Sequence, residues 1–203
     1  MRNLTRKDAE KSSIAYEKKG RTLIWHDEFE EGKINFNKWK FRKTMGANDH
    51  LYDNSEKHVR VENGQMHMQV HKSDDKERPW SLPVGLTTYD TMLFKYGYLE
   101  MRAKIPFRHG AWPSFWMQSI TPFKTVDWFS EVDIFEVFSS ENGVVSNIHK
   151  WGDGKHSSLS TVLDTETRSY FFKNTQTLND EYHIYGFEWD KDYMRFFVDG
   201  EMF

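Results

Sequence analysis

"SEVDIFEVF" (Ser130–Phe138) is an apolar run that carries three carboxylates, at spacings of two and then three. A strand alternates its faces with a period of two residues. Glu131 and Asp133 therefore share a face, and Glu136 falls out of step. One extra residue, a β-bulge, resets the alternation. With Ile134-Phe135 as the bulge, Glu131, Asp133 and Glu136 project in one row, and Val132 and Val137 turn to the core. The competing reading is a solvated strand face, where alternating charges commonly sit. Two features oppose it. Like charges along one face repel unless something uses them, and the flanks "VDWF" and "VF" are too apolar for an exposed edge.

The rest of the chain surrounds this strand with others of its kind. "HVRVENGQMHMQVHK" reads as a hairpin, because Asn63-Gly64 supplies the positive φ angles of a tight turn. Val59 and Val61 alternate with polar residues before the turn, and Met66, Met68 and Val70 after it. "YGYLEMRAKI" places Leu99, Met101, Ala103 and Ile105 on one face, with Glu100, Arg102 and Lys104 on the other. "TLIWHDEF", "WPSFWMQ", "VVSNIHKW", "HIYGFEWD" and "YMRFFVDG" complete a set of short strands separated by turn signals. The set predicts an all-β fold, a jelly-roll β-sandwich of two antiparallel sheets. Residues 1–20 read as a polar N-terminal extension, with helix formers over 6–18, and residues 21–203 as one sandwich domain.

Composition excludes several classes. The net charge of −3 lacks the basic excess of a nucleic-acid binder. The chain has no cysteine, which rules out disulfides and thiolate metal sites. It has no apolar run long enough to cross a membrane as a helix. The start has no apolar h-region, so the chain reads as cytoplasmic, or as secreted with its signal removed. "GDGK" at Gly152–Lys155 lacks the upstream Gly and following Ser/Thr of a phosphate loop. His67 and His71, placed on one strand face, stand about 13 Å apart, too far to share a metal. Aromatic residues make up 16% of the chain, enough to serve both a ring-rich core and a cleft whose rings lie flat against sugar faces.

Crowded carboxylates push one another's pKa values apart, so that one ionises while another keeps its proton. Cleavage of a glycosidic bond needs such a pair, a nucleophile or base and an acid for the leaving oxygen.

At Glu131–Glu136 the chain resembles glycoside hydrolase family 16, the laminarinase, agarase and carrageenase group, whose bulged signature E-x-D-x-x-E is matched by "EVDIFE". "WHDEFEEGKINFNKW", "KYGYLEMRAKIPFRHGAWPSFWM" and "HIYGFEWDKDYMRFFVDG" resemble flanking segments in the family's order. The resemblance implies a concanavalin A-like lectin/glucanase fold and an endo-acting, retaining hydrolase of β-linked polysaccharide, either a β-1,3-glucan or a β-galactan of the agar or carrageenan type. It implies Glu131 as nucleophile, Glu136 as acid and then base, and Asp133 as hydrogen-bond partner of the nucleophile. Trp112, Trp116 and Trp128 match cleft aromatics, with core packing the alternative for Trp116. His149 stands where relatives often place a polar residue near the site, though a lone His is more often structural. Glu188 lies on another expected strand of the concave sheet, where it either touches sugar hydroxyls or faces solvent.

The pattern departs from the family in two places. "WFS" replaces the usual residues before the first Glu, and the chain ends at "VDGEMF", before the strands with which relatives continue. No acid for the family's structural calcium is located, so no cofactor and no firm metal is expected; the resemblance leaves a structural calcium open, without support from this chain. The expected partner is a polysaccharide or oligosaccharide, with no nucleic acid and no membrane. A transglycosylase on the same site and a non-catalytic glycan-binding sandwich are the competing functions.

Overall fold

The computed structural model describes residues 20–42, 52–53, 57–72, 76, 80–83, 85–106, 111–120, 128–137, 144–152, 155–161 and 181–203. Nearly all of the expected N-terminal extension, including 6–18, lies outside them. The chain divides into two compact units, Met1–Phe94 and Lys95–Phe203. No helix occurs among the described residues.

Among its described residues the first unit holds seven short strands: β1 (Lys40–Phe41), β2 (Tyr52–Asp53), β3 (Val59–Glu62), β4 (Gln65–Met68), β5 (His71–Lys72), β6 (Trp80–Pro83) and β7 (Leu86–Thr87). β1 pairs with β7, β3 with β4, and β6 lies between β2 and β5; only β2–β6 is parallel. The β3–β4 hairpin turns at Asn63 and Gly64, with φ of 54° and 69°, the left-handed pair that a two-residue turn requires. Val59 and Val61 are buried with Ile34, against Phe29, Trp39, Phe41, Met66 and Leu86.

Three sequence expectations change here. Thr22–Phe29 is not a strand: Asp27 instead ties the segment to itself, accepting from Phe29 N at 3.0 Å and from Trp39 Nε1 at 2.7 Å. The strand after the hairpin stops at Met68, which leaves Met68 and Val70 exposed. His67 and His71 consequently fall on different strands, and His71 packs edge-on against His58 with ring centroids 4.9 Å apart.

The described residues of the second unit form a sandwich of two four-stranded antiparallel sheets. Its strands are β8 (Gly97–Ala103), β9 (Ser114–Gln118), β10 (Trp128–Glu136), β11 (Val145–Gly152), β12 (Lys155–Thr161), β13 (His183–Trp189), β14 (Met194–Val198) and β15 (Glu201–Met202). One sheet runs β12-β11-β10-β9 and the other β15-β14-β13-β8. Leu99, Met101 and Ala103 of β8 face the core as their alternation requires. Val132 and Ile134 of β10 pack against Phe187 and Phe196, and Phe135 against Tyr185 with centroids 4.5 Å apart. β12, "KHSSLST", was not anticipated: it has no apolar alternation and is the edge strand of this sheet among the described residues.

On the other face of β13, Gly186 lies under the Tyr98 ring. A Cβ at Gly186 would stand 2.2 Å from Tyr98 Oη and 2.9 Å from Cζ, closer than atoms pack. Gly186→Ala should therefore destabilise the protein by about 1–3 kcal/mol. Chemical denaturation of a double-mutant cycle checks the cause. In a Tyr98→Ala background the cost should largely disappear, and an unchanged cost would assign it elsewhere.

Candidate active site

β10 is hydrogen-bonded on both sides, to β9 and to β11, so its backbone is fixed along its length. The register slips along it. Asp133 pairs with Trp116 and Phe135 with Phe115 on β9, while Asp133 pairs with Asn147 and Glu136 with Val145 on β11. One residue is surplus, as the bulge at Ile134-Phe135 requires. Ile134 and Phe135 are consecutive, yet both are buried in the core, together with Val132 and Val137. Glu131, Asp133 and Glu136 are left on the opposite face. Cross-strand neighbours fill that face: Gln118 and His149 beside Glu131, Trp116 and Asn147 beside Asp133, Ser114 beside Glu136.

Each acid has a distinct setting. Asp133, 3% exposed, has its carboxyl pushed up to about 7, by burial first, then by the charge of Glu136 and that of Glu131. Glu136 is held at both oxygens: Trp112 Nε1 donates to one and Asn147 Nδ2 to the other, each at 2.9 Å. His149 Nε2 lies 2.9 Å from Asp133 Oδ2. The approach is off the hydrogen-bonding direction, so Oδ2 accepts no aligned bond and the contact is one of proximity. On its other side, His149 Nδ1 meets His156 Nε2 at 2.8 Å.

Among the described residues, Glu131, Asp133 and His149 place donor atoms within 4.8 Å of one another. Two carboxylates and an imidazole do not fit a calcium ion, which takes six to eight oxygen ligands.

Of the residues singled out from sequence, Glu131, Asp133, Glu136, Trp112, Trp116 and His149 come together on this face. Trp112 is the most exposed of them at 66%, and Trp116 sits opposite Asp133 while its neighbours Phe115 and Met117 take the core side. Trp128 and Glu188 do not join the group. Trp128 is three residues before Glu131 in regular strand, so alternation turns it away, and its ring lies beneath Lys150 Nζ at 5.1 Å. Glu188 belongs to β13 of the other sheet, not to that of the acids. Its neighbour Phe187 takes the core side, and Glu188 faces Arg195 at 3.4 Å.

Sequence reading passed over Phe129, Asn147, Trp151 and His156. Counting by twos from Glu131 and from His149 yields the first three. His156 required the unrecognised strand β12. Phe129, Trp151 and His156 are direct cross-strand neighbours and form a ladder of near-parallel rings, with centroids 6.3 Å and then 3.8 Å apart.

A family model described as "Glycosyl hydrolases family 16" matches residues 47–203. The chain is 28% identical over 204 residues to the glucan endo-1,3-beta-glucosidase A1 of Niallia circulans, covering 91% of this chain and 29% of that protein. It is 30% identical over 115 residues to a beta-1,3-glucan-binding protein of Penaeus monodon, covering 56% of this chain and 32% of that one. The chain thus spans less than two thirds of the length of these relatives. Among solved structures, the laminarinase catalytic domain of Thermotoga maritima MSB8 superposes with a TM-score of 0.67 at 25% identity, over 90% of this chain and 75% of that one. The jelly-roll sandwich anticipated from sequence is the fold of these laminarinases.

The raised Asp133 carboxyl makes a stability prediction. Against 3.8 in the unfolded chain, a folded value of about 7 means that the native state holds the proton more tightly. Stability tied to this group is complete below pH 4 and is lost as pH rises to 7. Asp133→Asn removes that dependence. Its stability relative to the parent should be nearly level at pH 4 and should rise by on the order of 2 kcal/mol at pH 8, after discounting for water in the cleft. Urea melts at the two pH values measure it, and an equal difference at both would reject the burial argument.

Proposed function

The chain belongs to glycosyl hydrolases family 16, and on that premise we propose that it is an endo-acting, retaining β-glucan hydrolase. The observation that carries this reading is the single row of Glu131, Asp133 and Glu136, with the buried Asp133 between two carboxylates of different surroundings. The names of the relatives favour a β-1,3-glucan over a galactan as substrate.

In the proposed first step Glu131 attacks the anomeric carbon and the glycosidic C–O bond breaks. Glu136 gives its proton to the departing oxygen, leaving a glycosyl ester on Glu131. In the second step Glu136 takes a proton from water, the resulting nucleophile attacks the anomeric carbon, and Glu131 departs as a carboxylate. Two inversions restore the β configuration. The paired N–H donors of Trp112 and Asn147 aim the Glu136 carboxyl throughout both steps. The exposed face of Trp112 offers an apolar surface to a pyranose ring close to the group that must protonate its linkage oxygen.

A binding-only role is the second reading, since the Penaeus monodon relative is named a glucan-binding protein. The complete acid row favours catalysis. A transglycosylase would use the same residues but deliver the sugar to an acceptor hydroxyl in place of water.

Reducing-sugar release from laminarin, mixed-linkage glucan, agarose, porphyran and carrageenan tests the proposal. Laminarin should be cut, and Glu131→Gln should lose at least about 100-fold in rate. Proton NMR should show the β-anomer of the product first. Binding of laminarin without cleavage by either protein would establish the binding role, and products longer than the substrate would establish transfer.

A further inference from the structure

Beyond the acids lies a line of contacts that the proposed mechanism does not use. It starts at Asp133, passes through His149 and ends at His156, which is exposed at the sheet's edge. We propose that His156 is a positioning residue for the acid row: stacked on Trp151, it shares one proton with His149 and so sets which protonation state of Asp133 the His149 imidazole supports. This inference rests on the hydrolase reading and extends it.

The argument begins with register. Trp151 stands opposite Phe129 on one side and His156 on the other. The indole is clasped between the two rings, with the His156 plane tilted only 11° from it. That stack fixes the His156 ring and aims its Nε2 at His149 Nδ1. Both atoms are ring nitrogens 2.8 Å apart, so between neutral rings one of them carries a hydrogen and the other offers a lone pair.

Two arrangements satisfy this rule with both imidazoles neutral. In the first, His149 carries its hydrogen on Nδ1 and donates to His156. Its Nε2 is then bare toward Asp133 Oδ2, which favours a protonated Asp133. In the second, His156 donates from Nε2. The hydrogen of His149 is then on Nε2, which favours an ionised Asp133. The passage between them balances. Once a turn of the His149 ring brings the 2.9 Å contact into line, the Asp133 proton moves to His149 Nε2, the Nδ1 proton of His149 moves to His156 Nε2, and His156 releases its Nδ1 proton to solvent. One proton leaves the acid row, and both imidazoles end neutral with their tautomers exchanged. During the passage the imidazolium at His156 is supported by the indole face beneath it.

The proposed cycle gives this path a use. Forming the glycosyl ester removes the charge of Glu131, and with it one of the repulsions that hold a proton on Asp133. Regenerating Glu131 restores it. Asp133 is 3% exposed, so a direct exchange with water is obstructed, whereas His156 is open to solvent. The titratable groups facing the histidine pair are few among the described residues. β11 contributes His149 itself, and β10 contributes Glu131 and Asp133, with Glu136 beyond. β9 presents Ser114, Trp116 and Gln118, which do not titrate in this range. Lys155 and Lys150 sit on alternate positions that turn to the other face.

The test separates the ring of His156 from its nitrogens. His156→Phe keeps a ring to stack on Trp151 and removes the proton-bearing atoms. His156→Gln restores a group that can donate or accept. In the whole chain, His156→Phe should leave the melting temperature and KM near the parent's, lower kcat about tenfold, and displace one limb of the kcat/KM–pH profile. His156→Gln, which can donate or accept but cannot relay a proton, should bring the His149 tautomer back toward the parent's while recovering little of the rate. Independently of any activity, the ring 15N shifts of His149 should report a tautomer in the parent and a different mixture in His156→Phe. A His156→Phe profile that superposes on the parent's, or unchanged 15N shifts, would overturn the proposal. Should the parent cleave no β-glucan, the hydrolase reading fails by itself, and the 15N comparison still decides whether His156 governs the tautomer of His149.

Discussion

Two consecutive residues of one strand, Ile134 and Phe135, are both driven into the core, and the site depends on it. A regular strand would send one of them outward. Because each buries a large apolar side chain against the opposite sheet, the backbone accommodates a surplus residue and shifts its pairing with both neighbours. Burying a Val, Leu, Ile or Phe side chain stabilises by about 1.5–3 kcal/mol. That gain on one face offsets the crowding of three carboxylates on the other. The apolar core and the acid row are therefore two faces of one event.

The crowding is also what differentiates the acids. Asp133 occupies the middle, where burial and two neighbouring charges oppose its ionisation. Glu136 is at the end of the row and is gripped by two N–H donors, one from the Trp112 indole and one from the Asn147 amide. Similar carboxyl groups on one strand thus receive different surroundings from their neighbours, and those neighbours are placed by register across the sheet.

Much of this was legible in the sequence wherever a local rule sufficed. The Asn63-Gly64 turn, the alternation of Leu99, Met101 and Ala103, and the bulge between Asp133 and Glu136 each follow from a few adjacent residues. The failures occur where a partner distant in sequence decides. Thr22–Phe29 has a strand's composition, but Asp27 folds the segment back onto Trp39. β12 is polar and lacks alternation because it lies at an edge, so no periodic signal marked it, and His156 was missed with it. Glu188 is placed by the sheet to which β13 belongs, which no local pattern states. Trp128 differs in kind: it was singled out by its likeness to family aromatics alone, whereas counting faces back from Glu131 selects Phe129.

The Trp112–Glu136 hydrogen bond has an optical consequence. The indole is largely open to solvent, while its N–H is committed to a carboxyl that gains and loses a proton in the proposed cycle. In the proposed function, a sugar settling on the ring would change the polarity around the chromophore. A proton arriving at the carboxyl changes the charge at its edge. Occupancy and ionisation of the proposed site would thereby register in the Trp112 share of the emission of the chain's eight tryptophans.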